Sequence, residues 1–247
     1  MARKKVEPRY ALFCDEAGGP GDDWRSLAVV SGTLPAMVGL EHDLRQAMEL
    51  SGLPELKWTN IRKRPAGINA AGLFLELATA AAQEGSVRFQ LWCWEAKRQP
   101  KAWAKLTEPK RMQLVYGKLL PRTARAWSKG RWRLLPDERT GVDWGRLKQD
   151  LAGSWRKAGA RVSGLKPVDS RRSALVQCCD LLAGIFRHSL RDEPRHDGPG
   201  SVARRNRDVL LSELLRMSAQ RRLGLRAEPR LQGKSLRFSA QRVARWV

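Results

Sequence analysis

The chain has 247 residues, of which 47 are Lys or Arg and 25 are Asp or Glu, so its formal net charge at pH 7 is +22. The length suits one large domain or one domain with an appendage, and a hydrophobic content of 42% excludes a disordered chain. So large a positive surplus favours a polyanionic partner, most often nucleic acid, although arginine-rich codon usage would also raise the charge.

The sequence lacks several common signals. No window reaches the ~18 uncharged apolar residues of a membrane-spanning helix, and the basic N-terminus lacks the apolar core of a signal peptide. The four cysteines show no CxxC spacing, the three histidines form no zinc-binding pattern, and no glycine-rich nucleotide-binding loop is present. We therefore expect a cytoplasmic protein with buried free thiols and no membrane contact.

Strand and helix patterns alternate along the chain. We predict strands at 9–15, 24–33, 86–95, 131–137 and 161–165, and helices at 35–50, 66–84, 109–128, 143–158 and 168–188. The order β-β-α-α-β-α-β-α-β-α predicts an α/β fold in which helices flank a mixed β-sheet.

The character of the sequence changes near its C-terminal end. Residues 204–222 predict a basic amphipathic helix, and an arginine-rich tail containing Phe238 and Trp246 follows. Arginines interleaved with aromatic residues can contact phosphates and stack on bases, and a surface for a partner protein is the alternative.

The helix at 168–188 is apolar around most of its surface, which predicts a buried position. Asp169 and Ser170 are residue types that cap helix N-termini. One narrow face is polar and contains Ser173, Gln177, Asp180, Gly184 and Arg187. A buried Asp180 needs compensation, which a distant basic side chain, a second carboxyl group sharing a proton, or a metal ion could each supply.

Further acids lie at the ends of two predicted strands. Asp15 and Glu16 precede a glycine-rich turn, and Asp137 ends a later strand. Glu55 lies between elements, two residues before Lys57, and this pair is equally consistent with an ordinary surface ion pair. Hard ions such as Mg²⁺ and Mn²⁺ prefer carboxylate oxygens, and two such ions about 3.5–4 Å apart can clamp the oxygens of a phosphodiester. An acidic centre in a basic protein is typical of a metal-dependent nuclease, although spacing alone leaves open whether the acids meet.

These motifs, taken in order, resemble those of the bacterial domain of unknown function 3800 family. The resemblance spans about 9–188 and rests on Asp15-Glu16-Ala17-Gly18, on Glu55, Lys57 and Trp58, on Asp137, and on a final motif with Asp169, Ser170, Ser173, Leu175, Gln177 and Asp180 to Gly184. Ala17 replaces the usual Ser, and Cys178-Cys179 stand where Leu-Ala is common. Neither departure affects the acids.

The resemblance implies a ribonuclease H-like fold at 1–190, followed by a basic accessory helix and tail at 191–247. It implies that Asp15, Glu55, Asp137 and Asp180 hold two Mg²⁺ or Mn²⁺ ions, with Glu55 or Glu16 as a further ligand or a group that orients water. Glu55 could instead pair with Lys57 or Arg62. Lys57 would neutralise the scissile phosphate, and hydrolysis would leave a 5′-phosphate and a 3′-hydroxyl.

The expected partner is RNA or DNA. We expect nucleic-acid contacts from Lys57, Arg62, Arg139, Arg204, Arg205 and Arg237. The competing hypothesis is a catalytically silent nucleic-acid-binding subunit of a larger nucleoprotein or defence complex, in which the basic C-terminal region binds the nucleic acid and the acids are vestigial. A protein partner that binds the C-terminal region is a further expectation.

Overall fold

The computed structural model describes residues 7–19, 21–61, 65–138, 141–190, 202–221 and 238–242. The strands are Tyr10–Ala17 (β1), Trp24–Thr33 (β2), Val87–Glu95 (β3), Gly130–Pro136 (β4), Ala160–Leu165 (β5) and Phe238–Arg242 (β6). The helices are Leu34–Leu50 (α1), Pro65–Glu84 (α2), Glu108–Ala124 (α3), Trp144–Lys157 (α4), Ala174–His188 (α5) and Val202–Gln220 (α6). The predicted order of strands and helices up to residue 188 is confirmed, and so is the α/β class with a mixed sheet.

The strands form a single sheet in the order β5-β4-β1-β2-β3-β6. β2 is antiparallel to both of its neighbours, whereas β1, β4 and β5 are parallel to one another and β6 is parallel to β3. Because β1 and β4 are adjacent and parallel, their C-terminal ends meet at the same edge of the sheet. That edge is where the sequence places two of its acids.

Helices cover both faces of the sheet. Alternate residues of β1 point to opposite faces, as the pleat of a strand requires. Ala11 and Ala17 belong to a core shared with α1, α2, α5 and α6, whereas Tyr10, Leu12 and Cys14 belong to a core shared with α3 and α4. We call these two sides the α5 face and the α3 face. All four cysteines are buried free thiols, as expected.

The central helix begins later than the sequence pattern predicts. Asp169 and Ser170 start a short 3-10 turn at Ser170–Arg172, in which the Asp169 carboxylate accepts a hydrogen bond from the backbone N–H of Arg171. The α-helix begins at Ala174, and Ser173 is its N-cap residue. The first residues of the predicted helix therefore form a separate turn, because the Asp169 side chain accepts a hydrogen bond from a backbone N–H two residues later in the chain.

The described part of the C-terminal region packs against the rest of the chain. Leu210, Leu214 and Met217 of α6 are buried in the core of the α5 face. β6 pairs with β3 and extends the sheet. Among the described residues, none of the helices combines the length and apolar character needed to cross a membrane.

Candidate active site

The end of β1 lies beside the end of β4. Cys14 pairs with Pro136, and the backbone N–H of Asp137 donates to the carbonyl oxygen of Cys14 at 2.9 Å. Asp15 is therefore the next residue along β1 from the point where Asp137 joins the sheet. Asp15 is buried and Asp137 is half-buried. The parallel register brings together two acids separated by more than a hundred residues of sequence.

The segment from Glu55 to Trp58 binds along the polar face of α5. The backbone N–H of Leu56 donates to Oε1 of Gln177 at 2.8 Å, and that of Trp58 donates to Oδ2 of Asp180 at 2.7 Å. The side chains alternate as in an extended strand, since Leu56 and Trp58 are buried whereas Glu55 and Lys57 are half-buried. Two backbone donors thus compensate two polar groups of a buried helix, and the same segment holds Glu55 and Lys57 beside them.

The indole ring of Trp58 lies directly against Gly184 of α5. A Cβ atom built on Gly184 would lie 2.2 Å from Cγ of Trp58, well inside van der Waals contact. Arg207 of α6 covers the indole with its guanidinium carbon 5.3 Å from a ring centroid, and the ring of His188 lies 6.1 Å away. Gly184 is therefore the residue that lets the segment approach the helix closely enough for Trp58 to donate to Asp180.

Burial raises the pKa of Asp180 from 3.8 to about 6. The hydrogen bond from the Trp58 N–H, the charge of Lys57 and the charge of Arg187 lower it, whereas the charge of Glu55 raises it. The compensation that the sequence requires thus comes partly from basic side chains and partly from a backbone donor. This compensation is incomplete, because the Asp180 carboxyl group still holds its proton more tightly than an exposed aspartate does.

Burial likewise raises the pKa of Asp137 from 3.8 to about 6. The backbone N–H of Glu138 and the charge of Lys57 lower this pKa, and the charges of Asp180 and Asp169 raise it. Lys57 acts on both Asp137 and Asp180, and these two acids act on each other. The fold therefore brings Asp137 after β4, Asp180 on α5 and Lys57 of the 55–58 segment close enough for their charges to interact.

Glu55 and Glu16 occupy different surroundings. Glu55 forms an ion pair with Lys57 at 3.2 Å and accepts a hydrogen bond from the hydroxyl of Ser170 at 2.9 Å. Its predicted alternative as a partner of Lys57 is thus present in the structure. Glu16 follows Asp15 in β1, so its side chain points to the α3 face, where it accepts a hydrogen bond from the hydroxyl of Tyr116 on α3. The structure brings Glu55 to Asp180 and places Glu16 on the other side of the sheet.

Several residues that support the site were not predicted to do so. Asp169 influences the Asp137 carboxyl electrostatically, and the Ser170 hydroxyl donates to Glu55. The carboxylate of Glu41 on α1 accepts hydrogen bonds from the backbone N–H groups of Ala174 and Leu175 at 3.0 and 2.8 Å. Glu41 has the pattern of an ordinary exposed helix residue, so its sequence gives no signal of this contact. Asp169 and Ser170 belong to the final motif and could have been suspected.

Five of the predicted phosphate contacts cannot be placed. Arg62, Arg139 and Arg237 lie outside the described residues, as do the side chains of Arg204 and Arg205 on α6. Lys57 is the remaining member of that set, and its side chain is 41% exposed.

The carboxylates have the chemistry of a divalent-cation site but not a preassembled one. Oxygen donors suit Mg²⁺ and Mn²⁺. The raised pKa values of Asp137 and Asp180, which arise mainly from burial, show carboxylates whose charge is incompletely compensated, and a bound cation would stabilise that charge. Within the described ranges, however, no three His, Cys, Asp or Glu side chains converge closely enough to hold a metal ion. The donor types fit the predicted ions, and the carboxylates would have to draw together to bind them.

No family model matches the chain, and no curated protein is significantly similar to it in sequence. The resemblance to the domain of unknown function 3800 family therefore stays a prediction that rests on its four motifs.

Proposed function

We propose that the protein is a metal-dependent nuclease that hydrolyses phosphodiester bonds of RNA or DNA. The observation that carries this proposal is the electrostatic coupling of Asp137, Asp180 and Lys57, which come from three distant segments of a chain with a net charge of +22. Acids with raised pKa values in one neighbourhood are more typical of functional sites than of structural ion pairs. A basic protein that places acids beside the half-buried Lys57 is suited to bind an anionic substrate through cations.

The order in which the chain supplies these groups also supports a ribonuclease H-like assignment. Such enzymes take their acids from the first strand, a following helix or loop, a central strand end and a late helix. Asp15 in β1, Glu55 before α2, Asp137 after β4 and Asp180 in α5 occur in that order. The mixed sheet is compatible with the same assignment. The assignment rests on the order of these four acids along the chain and not on overall similarity.

Asp15, Asp137 and Asp180 would hold two divalent ions, with Glu55 as a further ligand or as a group that orients water. When bound, the ions supply Lewis acidity and an activated water, and they stabilise the charge on the phosphate. Lys57 contributes a cation to the phosphate and keeps Glu55 oriented through their ion pair. Gln177 and the Trp58 N–H fix the 55–58 segment on α5, so that Lys57 stays beside the acids. We assign no direct role to Glu16, because its carboxylate is engaged by Tyr116 on the α3 face.

The test is a calorimetric titration with Mn²⁺ of the wild type and of Asp15→Asn and Asp180→Asn, alongside cleavage of labelled RNA and DNA in Mg²⁺. The wild type is expected to bind metal and cleave, and both variants are expected to lose metal binding and cleavage while remaining folded. Asp43→Asn, an exposed acid on α1, is the matched control and should behave as the wild type.

The outcomes separate the two classes of function. If Asp180→Asn still cleaves, Asp180 is not a ligand and the proposed site is wrong. If the wild type binds nucleic acid but neither binds metal nor cleaves, even when a short duplex is present during the titration, the silent binding subunit becomes the better description.

A further inference from the structure

A cavity of about 320 Å³ lies beside Glu55 and Lys57. Its walls include Leu53, Leu56 and Ile61, and the amide side chain of Asn60 also lines it. Asn60 is exposed, which places it toward the solvent side, whereas Leu56 and Ile61 are buried. The volume is at the lower end of the range of small-molecule sites. The cavity combines apolar side chains with three polar residues, Glu55, Lys57 and Asn60.

The cavity is continuous with the candidate active site through two shared side chains. Glu55 and Lys57 both line it, and both act electrostatically on Asp180. The negative charge of Glu55 is offset by Lys57 at 3.2 Å. A phosphate near Lys57 would therefore have beside it a recess whose wall includes Leu53, Leu56 and Ile61.

We propose that this cavity binds an unpaired nucleobase of the substrate, adjacent to the phosphate that Lys57 contacts. The inference rests on the proposed nuclease function and specifies its substrate class as single-stranded or locally unpaired nucleic acid. Leu53, Leu56 and Ile61 would contact the faces of the base, and the Asn60 amide, which can both donate and accept, would contact its edge. Bases in a duplex are stacked and paired, so neither their faces nor their edges are available to a recess of this kind.

The experiment compares binding of three fluorescently labelled ligands in a buffer containing EDTA. The ligands are a short oligothymidylate, an oligomer of the same length that lacks all its bases, and a duplex of that length. The wild type should bind oligothymidylate about tenfold more tightly than the abasic oligomer, and more tightly than the duplex; tenfold corresponds to about 1.4 kcal/mol. Because the two single strands carry the same phosphates, the difference reports the bases alone.

Two variants locate that difference in the cavity. Leu53→Trp fills the recess from a half-buried position, and Asn60→Ala removes the polar group from an exposed one, so both should fold. Both are expected to bind the two single strands with nearly equal affinity. Thr59→Ala, at an exposed neighbouring position that does not line the cavity, should keep the tenfold preference.

Equal affinity of the wild type for the intact and abasic strands would overturn the proposal, and so would a preference that survives both cavity variants. Equal or tighter binding of the duplex would overturn the assignment of an unpaired base. No step of this test requires metal or cleavage. A protein that prefers intact strands but does not cleave in Mg²⁺ would therefore contradict the nuclease proposal and not the cavity.

Discussion

Asp137 and Asp180 hold their protons more tightly than exposed aspartates do, because burial penalises the charged carboxylate and neighbouring acids add repulsion. Lys57 and the Trp58 N–H reduce this penalty without removing it. Buried acids whose charge is incompletely compensated lower the free energy of unfolding, and sites that contain them are often functional. The loss of folding stability can be measured directly by replacing an aspartate with asparagine, because the asparagine amide has nearly the same shape and carries no charge.

Asp180→Asn should stabilise the metal-free protein at pH 7.5. The pKa of Asp180 is raised from 3.8 to about 6, so between these pH values the folded chain binds more protons than the unfolded chain. The contribution of Asp180 to stability is therefore most favourable at low pH and is lost as the pH rises through about 6. The variant, whose amide oxygen can still accept the Trp58 hydrogen bond, should gain at most about 3 kcal/mol at pH 7.5. Its advantage should fall to about one third of that at pH 4.5.

Chemical denaturation in EDTA at the two pH values measures this difference. Asp43→Asn is the control at an exposed position and should change stability by less than about 0.5 kcal/mol. An Asp180→Asn variant that is less stable than the wild type at pH 7.5, or a gain that does not change with pH, would show that Asp180 is well compensated in the fold.

At the scale of elements, the site depends on how closely the 55–58 segment docks on α5. Leu56 and Trp58 donate backbone hydrogen bonds to Gln177 and Asp180, which are three residues apart on the helix. The indole of Trp58 fills the space that Gly184 leaves. The glycine is thus explained by close packing and not by backbone conformation.

Gly184→Ala should destabilise the protein by about 2 kcal/mol or more, because the added methyl group overlaps the Trp58 ring. Gly153→Ala on α4, where an added Cβ meets nothing within 4 Å, should instead stabilise by about 0.5–1 kcal/mol through helix propensity. Denaturation of both variants provides the comparison.

The cause of this loss can be checked in a double-mutant cycle. In a Trp58→Ala background the Gly184→Ala substitution should cost much less, because the overlapping ring is gone. An equal loss of stability in both backgrounds would mean that overlap with the Trp58 ring is not the reason why Gly184→Ala destabilises the protein.

The start of α5 is held by a residue from another helix. The Glu41 carboxylate accepts from Ala174 and Leu175 and interacts favourably with the positive end of the helix dipole. Glu41→Ala should therefore destabilise by about 2 kcal/mol, since it leaves two backbone donors without this acceptor. Glu49→Ala, an exposed substitution on the same helix α1, should change stability by less than about 0.5 kcal/mol. If both variants unfold at the same denaturant concentration, the Glu41 contacts contribute little.

For the whole molecule, the chain carries a net charge of +22 and its described fold contains a small group of acids. Such a net charge attracts a polyanion at long range, with strong dependence on monovalent salt. The acids oppose close approach of a phosphate, and Lys57 is a basic residue whose charge acts on both Asp137 and Asp180. The long-range attraction of a polyanion and its local contact with Lys57 can therefore be measured separately.

Lys57→Met should lower the magnitude of the salt slope for a single strand by about 0.7 in metal-free buffer, the value expected for the loss of one phosphate contact. The measurement is the equilibrium affinity for oligothymidylate over a series of NaCl concentrations. Lys148→Met, an exposed lysine on α4 and therefore on the α3 face, should leave the slope unchanged. A slope that responds to Lys148 and not to Lys57 would place the nucleic acid on the α3 face.

The α/β class, the order of strands and helices, and the polar face of α5 could be predicted from the sequence, because they follow from local periodicity and turn-forming residues. The sequence also identified Asp15, Asp137 and Asp180 as candidates, since acids at strand ends and on a buried helix are conspicuous locally. The surroundings of these acids depend on the tertiary fold. The partner of Asp180 is the backbone N–H of Trp58, the N-terminus of α5 is bound by Glu41, and Glu16 is bound by Tyr116 on the α3 face. These contacts join residues far apart in the chain, and sequence periodicity describes the face that a residue presents but not the group that meets it there.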